Sequence, residues 1–140
     1  MLIKPLHNSF IMPTKGSEHA GAIDLYMPEA GEVTDSPVMV KLGLAAAIPP
    51  GYVGLLFPRS SVGAKHGVEL TNTCGVIDSD YRGEWMASIR TKSGIPFSWK
   101  AGERVLQCVV VACLDVQPKL VEDLDETKRG EGGFGSTGKQ

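Results

Sequence analysis

The chain is expected to fold as one all-β domain with a single short helix and a flexible, glycine-rich C-terminal arm. Three observations lead there. Seventeen glycines and nine prolines in 140 residues are many for a helical protein and fit short strands joined by turns. Apolar residues recur at a period of two over residues 20–26 and 38–48. Only one stretch, residues 58–67, reads as a helix. A chain of this length implies one domain, and such a domain buries roughly 68% of its unfolded surface, enough for a core without staples.

Composition narrows the function. Lys and Arg number 14 and Asp and Glu 16, for a net charge of −2. No polyanion-binding signature is present, so nucleic acid is not an expected partner. A locally positive pocket for a small anion stays compatible with that balance. His7, His19 and His66 are too scattered for a zinc site. Cys74, Cys108 and Cys113 are odd in number, lack C-x-x-C spacing and lie among apolar residues. Buried, reduced thiols and a reducing, cytoplasmic compartment are therefore expected. The first residues carry no long apolar run, so neither a signal peptide nor a membrane span is expected.

In chain order, residues 1–11 read as an edge strand ending before Pro13, and residues 14–19 as a polar loop. Residues 20–26 alternate, with Ala22, Asp24 and Tyr26 on one face and Ile23 and Leu25 on the other, which predicts a strand. An acid in such a strand ordinarily faces water. Residues 28–37 are turn-rich. Val38, Val40, Leu42, Leu44, Ala46 and Ile48 share one phase and predict one long, half-buried strand. After the Pro49-Pro50-Gly51 turn, residues 52–57 are more continuously apolar, as for a strand inside a sheet. Residues 58–67 form the helix, capped by Ser60 or Ser61 and ended by Gly67. Free N–H groups and serine hydroxyls at such an end make a seat for phosphate.

Residues 75–84 draw the rest together. Val76 and Ile77 read as strand, Asp78, Ser79 and Asp80 as turn formers, and residues 85–89 as strand again. The expectation is a hairpin with two carboxylates and Tyr81 at its tip. Residues 91–98 read as a loop and residues 105–111 as a strand with one interior amide, Gln107, which needs partners. A last strand is expected over residues 114–121. From Glu122 the chain turns acidic and then glycine-rich, leading to Arg129 and Gly130-Glu131-Gly132-Gly133-Phe134-Gly135-Ser136-Thr137-Gly138. A passive linker needs neither Arg nor Phe. Here a guanidinium could fork onto a phosphate and a ring could lie on a base.

Residues 72–84 closely resemble the third sequence motif of the trimeric dUTPases, the dUTP nucleotidohydrolases, and residues 129–138 resemble the fifth. Weaker likenesses to the first motif (residues 20–26), the second (Pro58-Arg59-Ser60-Ser61) and the fourth (Gly102-Glu103-Arg104-x-x-Gln107) complete the set in family order. Two departures stand out: Ile23 where a tyrosine is common, and Trp85 where an aliphatic residue is usual, a change that could touch trimer packing. The resemblance implies a distorted jelly-roll or β-barrel of the β-clip type over residues 1–121. Residues 122–140 would be an arm closing the active site of a neighbouring subunit in a homotrimer.

It implies further that Asp78 activates water for attack on the α-phosphorus of dUTP, releasing dUMP and pyrophosphate, with Arg59 beside the catalytic centre. Arg59, Ser60, Ser61, Gln107 and Arg129 would meet the phosphates. Asn72, Gly75 and Val76 would read uracil, Tyr81 would pack on the sugar, and Phe134, Gly135, Ser136 and Thr137 would close the site. Mg²⁺ is the implied cofactor, held mainly by substrate and water with Asp24 and Gln107 in its outer shell. The alternatives are a dCTP deaminase of the same fold, which usually carries glutamate at Asp78 and lacks the tail, and a nucleotide-sensing regulatory protein. Regulatory protein partners occur among dUTPases of mobile elements, and nothing in this sequence identifies one.

Overall fold

The computed structural model describes residues 1–92 and 94–133. The elements run β1 (Leu2–Pro5), β2 (Thr14–Lys15), β3 (Ala22–Tyr26), β4 (Gly31–Val33), β5 (Val38–Lys41), β6 (Leu44–Ala47), β7 (Tyr52–Pro58), α1 (Ser60–His66), β8 (Val68–Leu70), β9 (Gly75–Ile77), β10 (Met86–Thr91), β11 (Phe97–Trp99) and β12 (Arg104–Ala112). Among the described residues the strands form four antiparallel sheets, in the orders β1-β6, β5-β10-β8, β11-β4 and β2-β3-β12-β7-β9. One core joins them. Leu25, Leu56, Trp85, Ile89 and Leu106 are all 0% exposed within it, and burying an aliphatic side chain that fully stabilises by about 1.5–3 kcal/mol. The domain is all-β with one short helix, as its composition predicts. None of the described helices is long and apolar enough to cross a membrane.

Several local expectations are corrected. The long strand over residues 38–48 is broken at Gly43, whose φ of 65° leaves the extended region. A Cβ there would lie 2.9 Å from that of His7. The break sends β5 to pair with β10 and β6 to pair with β1, so one apolar run serves two sheets. The N-terminal strand is confined to β1. The loops expected at residues 14–19 and 28–37 contain β2 and β4, and the one expected at 91–98 runs into β11, strands too short for a visible alternation. The strand expected over residues 114–121 does not form in the single chain: β12 ends at Ala112, and Leu114, Val116 and Leu120 are 88%, 71% and 102% exposed.

The helix has its expected end and a different beginning. Gly67 takes the left-handed conformation, and its N–H donates to the Gly63 carbonyl. The N-cap is Arg59, extended and without a side-chain cap bond. Ser60 and Ser61 already lie inside the first turn, so their hydroxyls cannot serve as the capping oxygen. The cysteines also divide. Cys108 is buried, Cys74 half-buried and Cys113 exposed, because Cys113 falls just beyond the last strand.

Candidate active site

Residues 75–89 are not a hairpin. β9 pairs with β7, whereas β10 pairs with β5 and β8. The two strands belong to different sheets, and the gap between them is a cavity of about 410 Å³. Met39, Leu70, Asn72, Gly75, Val76, Asp78, Tyr81, Met86 and Ser88 contribute to its wall. Mutual pairing of the two strands would have filled this space with backbone. Asn72 and Asp78 are exposed at the cavity. β9 is the edge of its sheet, so one side of its backbone is left without a strand partner.

The entry to β9 is strained. Thr73 has φ 68°, a left-handed conformation for a β-branched residue, which costs of order 1–3 kcal/mol and persists only where neighbours enforce it. Here the Thr73 N–H donates to Leu70 O at 2.9 Å and the Cys74 N–H to Asn72 O at 2.7 Å. The tight turn turns Asn72 toward the cavity wall.

A second cluster sits elsewhere on the five-stranded sheet, around β3 and β12. Asp24 is 6% exposed, correcting the expectation that it faces water. Its Oδ1 accepts from Arg59 Nε at 2.9 Å and its Oδ2 from Arg104 Nη1 at 3.0 Å. A slip in register between Arg104 and Leu106, a β-bulge, re-aims Arg104 onto the carboxylate. Gln107 lies directly across from Asp24 on one side and Phe57 on the other, and its Nε2 donates to Pro58 O at 3.1 Å. Ser60 and Ser61 adjoin Arg59, exposed in the first turn of α1. One carboxylate between two guanidiniums leaves the cluster net positive, which suits an anion.

Register places the two groups well apart. Asp24 is level with Gln107 and Phe57. From β3 to β9 is three strand spacings, roughly 14 Å. Asp78 follows Ile77, the partner of Gly54, and so lies four residues further along, roughly 13 Å. The Asp24–Arg59 cluster and the Asp78 cavity of one chain are therefore about 20 Å apart.

Arg104 was not singled out as a site residue from the sequence. It stood in a recognised motif, but only the bulge brings it to Asp24. Met39, Met86 and Ser88 were missed as well: Met39 comes from β5, distant in sequence, and Met86 and Ser88 from β10, which a hairpin pairing with β9 would have turned away from a cavity. Arg129 is exposed, and its Nε donates to Gly132 O at 2.8 Å, within its own turn. Phe134, Gly135, Ser136 and Thr137 lie outside the described residues. Trp85 is fully buried in the chain's own core. A further cavity, of about 530 Å³, is lined by His7, Glu29, Lys41 and Trp99 among others, none of them a predicted site residue. Among the described residues no three His, Cys, Asp or Glu side chains are grouped to hold a metal.

The fold and these two groups of residues define an all-β protein with a cavity of about 410 Å³ and a separate arginine cluster. The sequence model of the dUTPase family matches residues 8–138. The chain is 43% identical over 139 residues to the deoxyuridine 5'-triphosphate nucleotidohydrolase of Syntrophotalea carbinolica, covering 97% of this chain and 95% of that protein. It is 40% identical to the protein of the same description from Alcanivorax borkumensis, covering 96% and 93%. The dUTPase of Staphylococcus bacteriophage 80alpha, solved with dUPNHPP, superposes with a TM-score of 0.87 at 27% identity, over 97% of this chain and 96% of that one. A mutant dUTPase of phage phi11 of S. aureus, described as coordinating a structural Mg(II) ion, shares the fold with a TM-score of 0.78 at 22% identity, over 86% and 95%. The chain belongs to the dUTPase family.

Proposed function

We propose that this chain hydrolyses dUTP to dUMP and pyrophosphate, at a site assembled from two half-sites on different copies of the chain. The observation that carries the reading is the cavity at Asp78, sized for a nucleoside and walled by Asn72, Gly75, Val76 and Tyr81. Asp78 takes a proton from a water that attacks the α-phosphorus. A new P–O bond forms to that water, the bridging P–O bond breaks, and pyrophosphate leaves. The unpaired edge of β9 and the Asn72 amide read uracil. Cytosine presents the reversed donor pattern at the same positions and leaves those groups unsatisfied. Tyr81 packs on the sugar and leaves no room for a 2′-hydroxyl.

Arg59, held by Asp24, serves the phosphates together with Ser60, Ser61 and Gln107, with Ser60 near the α–β bridge. Arg129 forks onto the terminal phosphate, and Phe134, Gly135, Ser136 and Thr137 close the lid. The separation of about 20 Å within one chain supports a homotrimer in which the Asp78 cavity of one copy faces the Arg59 cluster of another. The exposed Leu114, Val116 and Leu120, at the C-terminal end of residues 1–121, and Leu124 in the arm support a C-terminal segment that lies on a neighbour. Residues 1–121 then form the barrel and residues 122–140 the arm, whose twelve residues 122–133 span up to about 40 Å.

The donors present fit Mg²⁺ carried in on the triphosphate rather than held in a protein cage. Both Asp24 oxygens are engaged by arginine, and Gln107 keeps its Oε1 for a bridging water. When bound, the ion neutralises phosphate oxygen charge and fixes the conformation of the triphosphate. Free thiols fit a cytoplasmic setting.

A pyrophosphate-release assay across dUTP, UTP, dTTP and dCTP, with and without Mg²⁺, tests the reading. Turnover confined to dUTP is expected, and ammonia release from dCTP would favour a deaminase. Asp78→Asn is expected to bind dUTP yet lose at least about 100-fold in kcat. Unchanged turnover would remove Asp78 from its role.

A further inference from the structure

We infer that Gly83 and Arg82 are positioning residues that set sugar selectivity by fixing the ring of Tyr81. The inference rests on the reading of Tyr81 as the group that meets the deoxyribose. The Tyr81 hydroxyl does not point into the cavity as a free donor. It donates to the Glu84 carbonyl at 3.0 Å, so the ring is folded back over Gly83. A Cβ at Gly83 would lie 2.4 Å from that hydroxyl and 2.6 Å from Cζ, closer than any side chain permits. Gly83 is outside the left-handed region. Its backbone therefore tolerates alanine, and it is the ring that demands glycine.

The rest of the loop is braced to match. The Tyr81 N–H donates to Asp78 O at 3.2 Å, tying the ring's residue to the residue read as the base. Arg82 Nη1 donates to Ser79 O at 2.7 Å and to Tyr81 O at 3.0 Å. Glu84 Oε2 lies 3.4 Å from Lys41 Nζ. Beyond it the backbone N–H of the buried Trp85 donates to Leu44 O and its carbonyl accepts from Leu42 N–H. The loop is thus pinned at both ends and cross-linked in the middle, and its one aromatic face is presented at the cavity. Excluding a single hydroxyl is a matter of about 1 Å, and misplacements of that size lose orders of magnitude at a reacting site. Gly83 supplies the room and Arg82 the stiffness that hold the ring within that tolerance.

The test is the ratio of kcat/KM for dUTP to that for UTP, in the full-length protein and in Gly83→Ala, Arg82→Met, Arg82→Lys, Tyr81→Ala and the Gly83→Ala/Tyr81→Ala double variant. The ratio is expected to fall at least tenfold in Gly83→Ala and measurably in Arg82→Met, with Arg82→Lys recovering most of it. Once Tyr81 is alanine, Gly83→Ala should change the ratio less than twofold, because no ring remains to displace. An unchanged ratio in Gly83→Ala, or an equal fall with and without the ring, overturns the inference. Should Gly83→Ala fail to fold, Arg82→Met decides alone, and an unchanged ratio there overturns it equally. A parent protein that turns over dUTP and UTP alike would sink the reading of Tyr81 itself.

Discussion

At the scale of residues, two carboxylates are proposed to do different work because their surroundings differ. Asp78 stands exposed at a cavity mouth, where it can meet water and substrate. Asp24 is buried, with each oxygen taken by a different guanidinium. Asp24 is best understood as the post to which Arg59 and Arg104 are tied. Asp24→Asn should then act through those arginines. Breaking a fully buried pair costs about 3–5 kcal/mol. The Arg59 and Arg104 side chains are 30% and 40% exposed, so solvent screening reduces this to about 2 kcal/mol. A thermal melt should show Tm lower by several degrees, and the pyrophosphate assay should show kcat/KM down by at least tenfold. A variant as stable and as active as the parent would remove Asp24 from that position. Asp24, Arg59 and Asp78 were all legible in the sequence as motif members. The partnership of Asp24 with Arg104 was not, because it depends on a one-residue bulge in β12 that leaves no mark in the alternation of side chains.

At the scale of elements, the sequence disclosed strands more readily than their pairing. β3, β7 and β12 are long enough, or apolar enough, to declare themselves. β2, β4 and β11 have two or three residues each, too few for a period to show. Residues 75–89 looked like a hairpin because local signals cannot say which strand a strand will meet, and the cavity exists because β9 and β10 part company. Gly43 was visible, but the phase of the apolar residues ran straight through it. β12 also buries Cys108, and that burial pushes its thiol from an ordinary value of 9.0 up to about 11. A thiol whose folded value is raised contributes stability that is intact below about pH 9 and is lost as pH rises from there toward about 11. Comparing denaturant unfolding of the parent with Cys108→Ala at pH 7, 9 and 10.5 should show the parent losing stability more steeply over that window. Parallel curves would contradict the assignment. Cys113, exposed beyond the strand, should meanwhile react with a soluble alkylating reagent in the folded protein.

At the scale of the whole molecule, the single chain looks unfinished. Apolar residues of its C-terminal segment lie bare, and its two candidate clusters stand well apart. Both features resolve if copies associate so that each supplies what the next lacks. A chain ended after Lys128 should still assemble, as judged by light scattering, yet lose nearly all turnover. Full activity in that truncation would remove the tail from the site. The most direct test of shared sites mixes two inactive proteins. Asp78→Asn and Arg59→Ala, the latter leaving Asp24 its bond to Arg104, are unfolded together, refolded and confirmed as mixed assemblies by mass spectrometry. If each site draws Asp78 and Arg59 from different copies, random mixing restores about a quarter of the parent activity. A mixture as inactive as either variant alone would show that both residues act from the same chain, and would contradict the account.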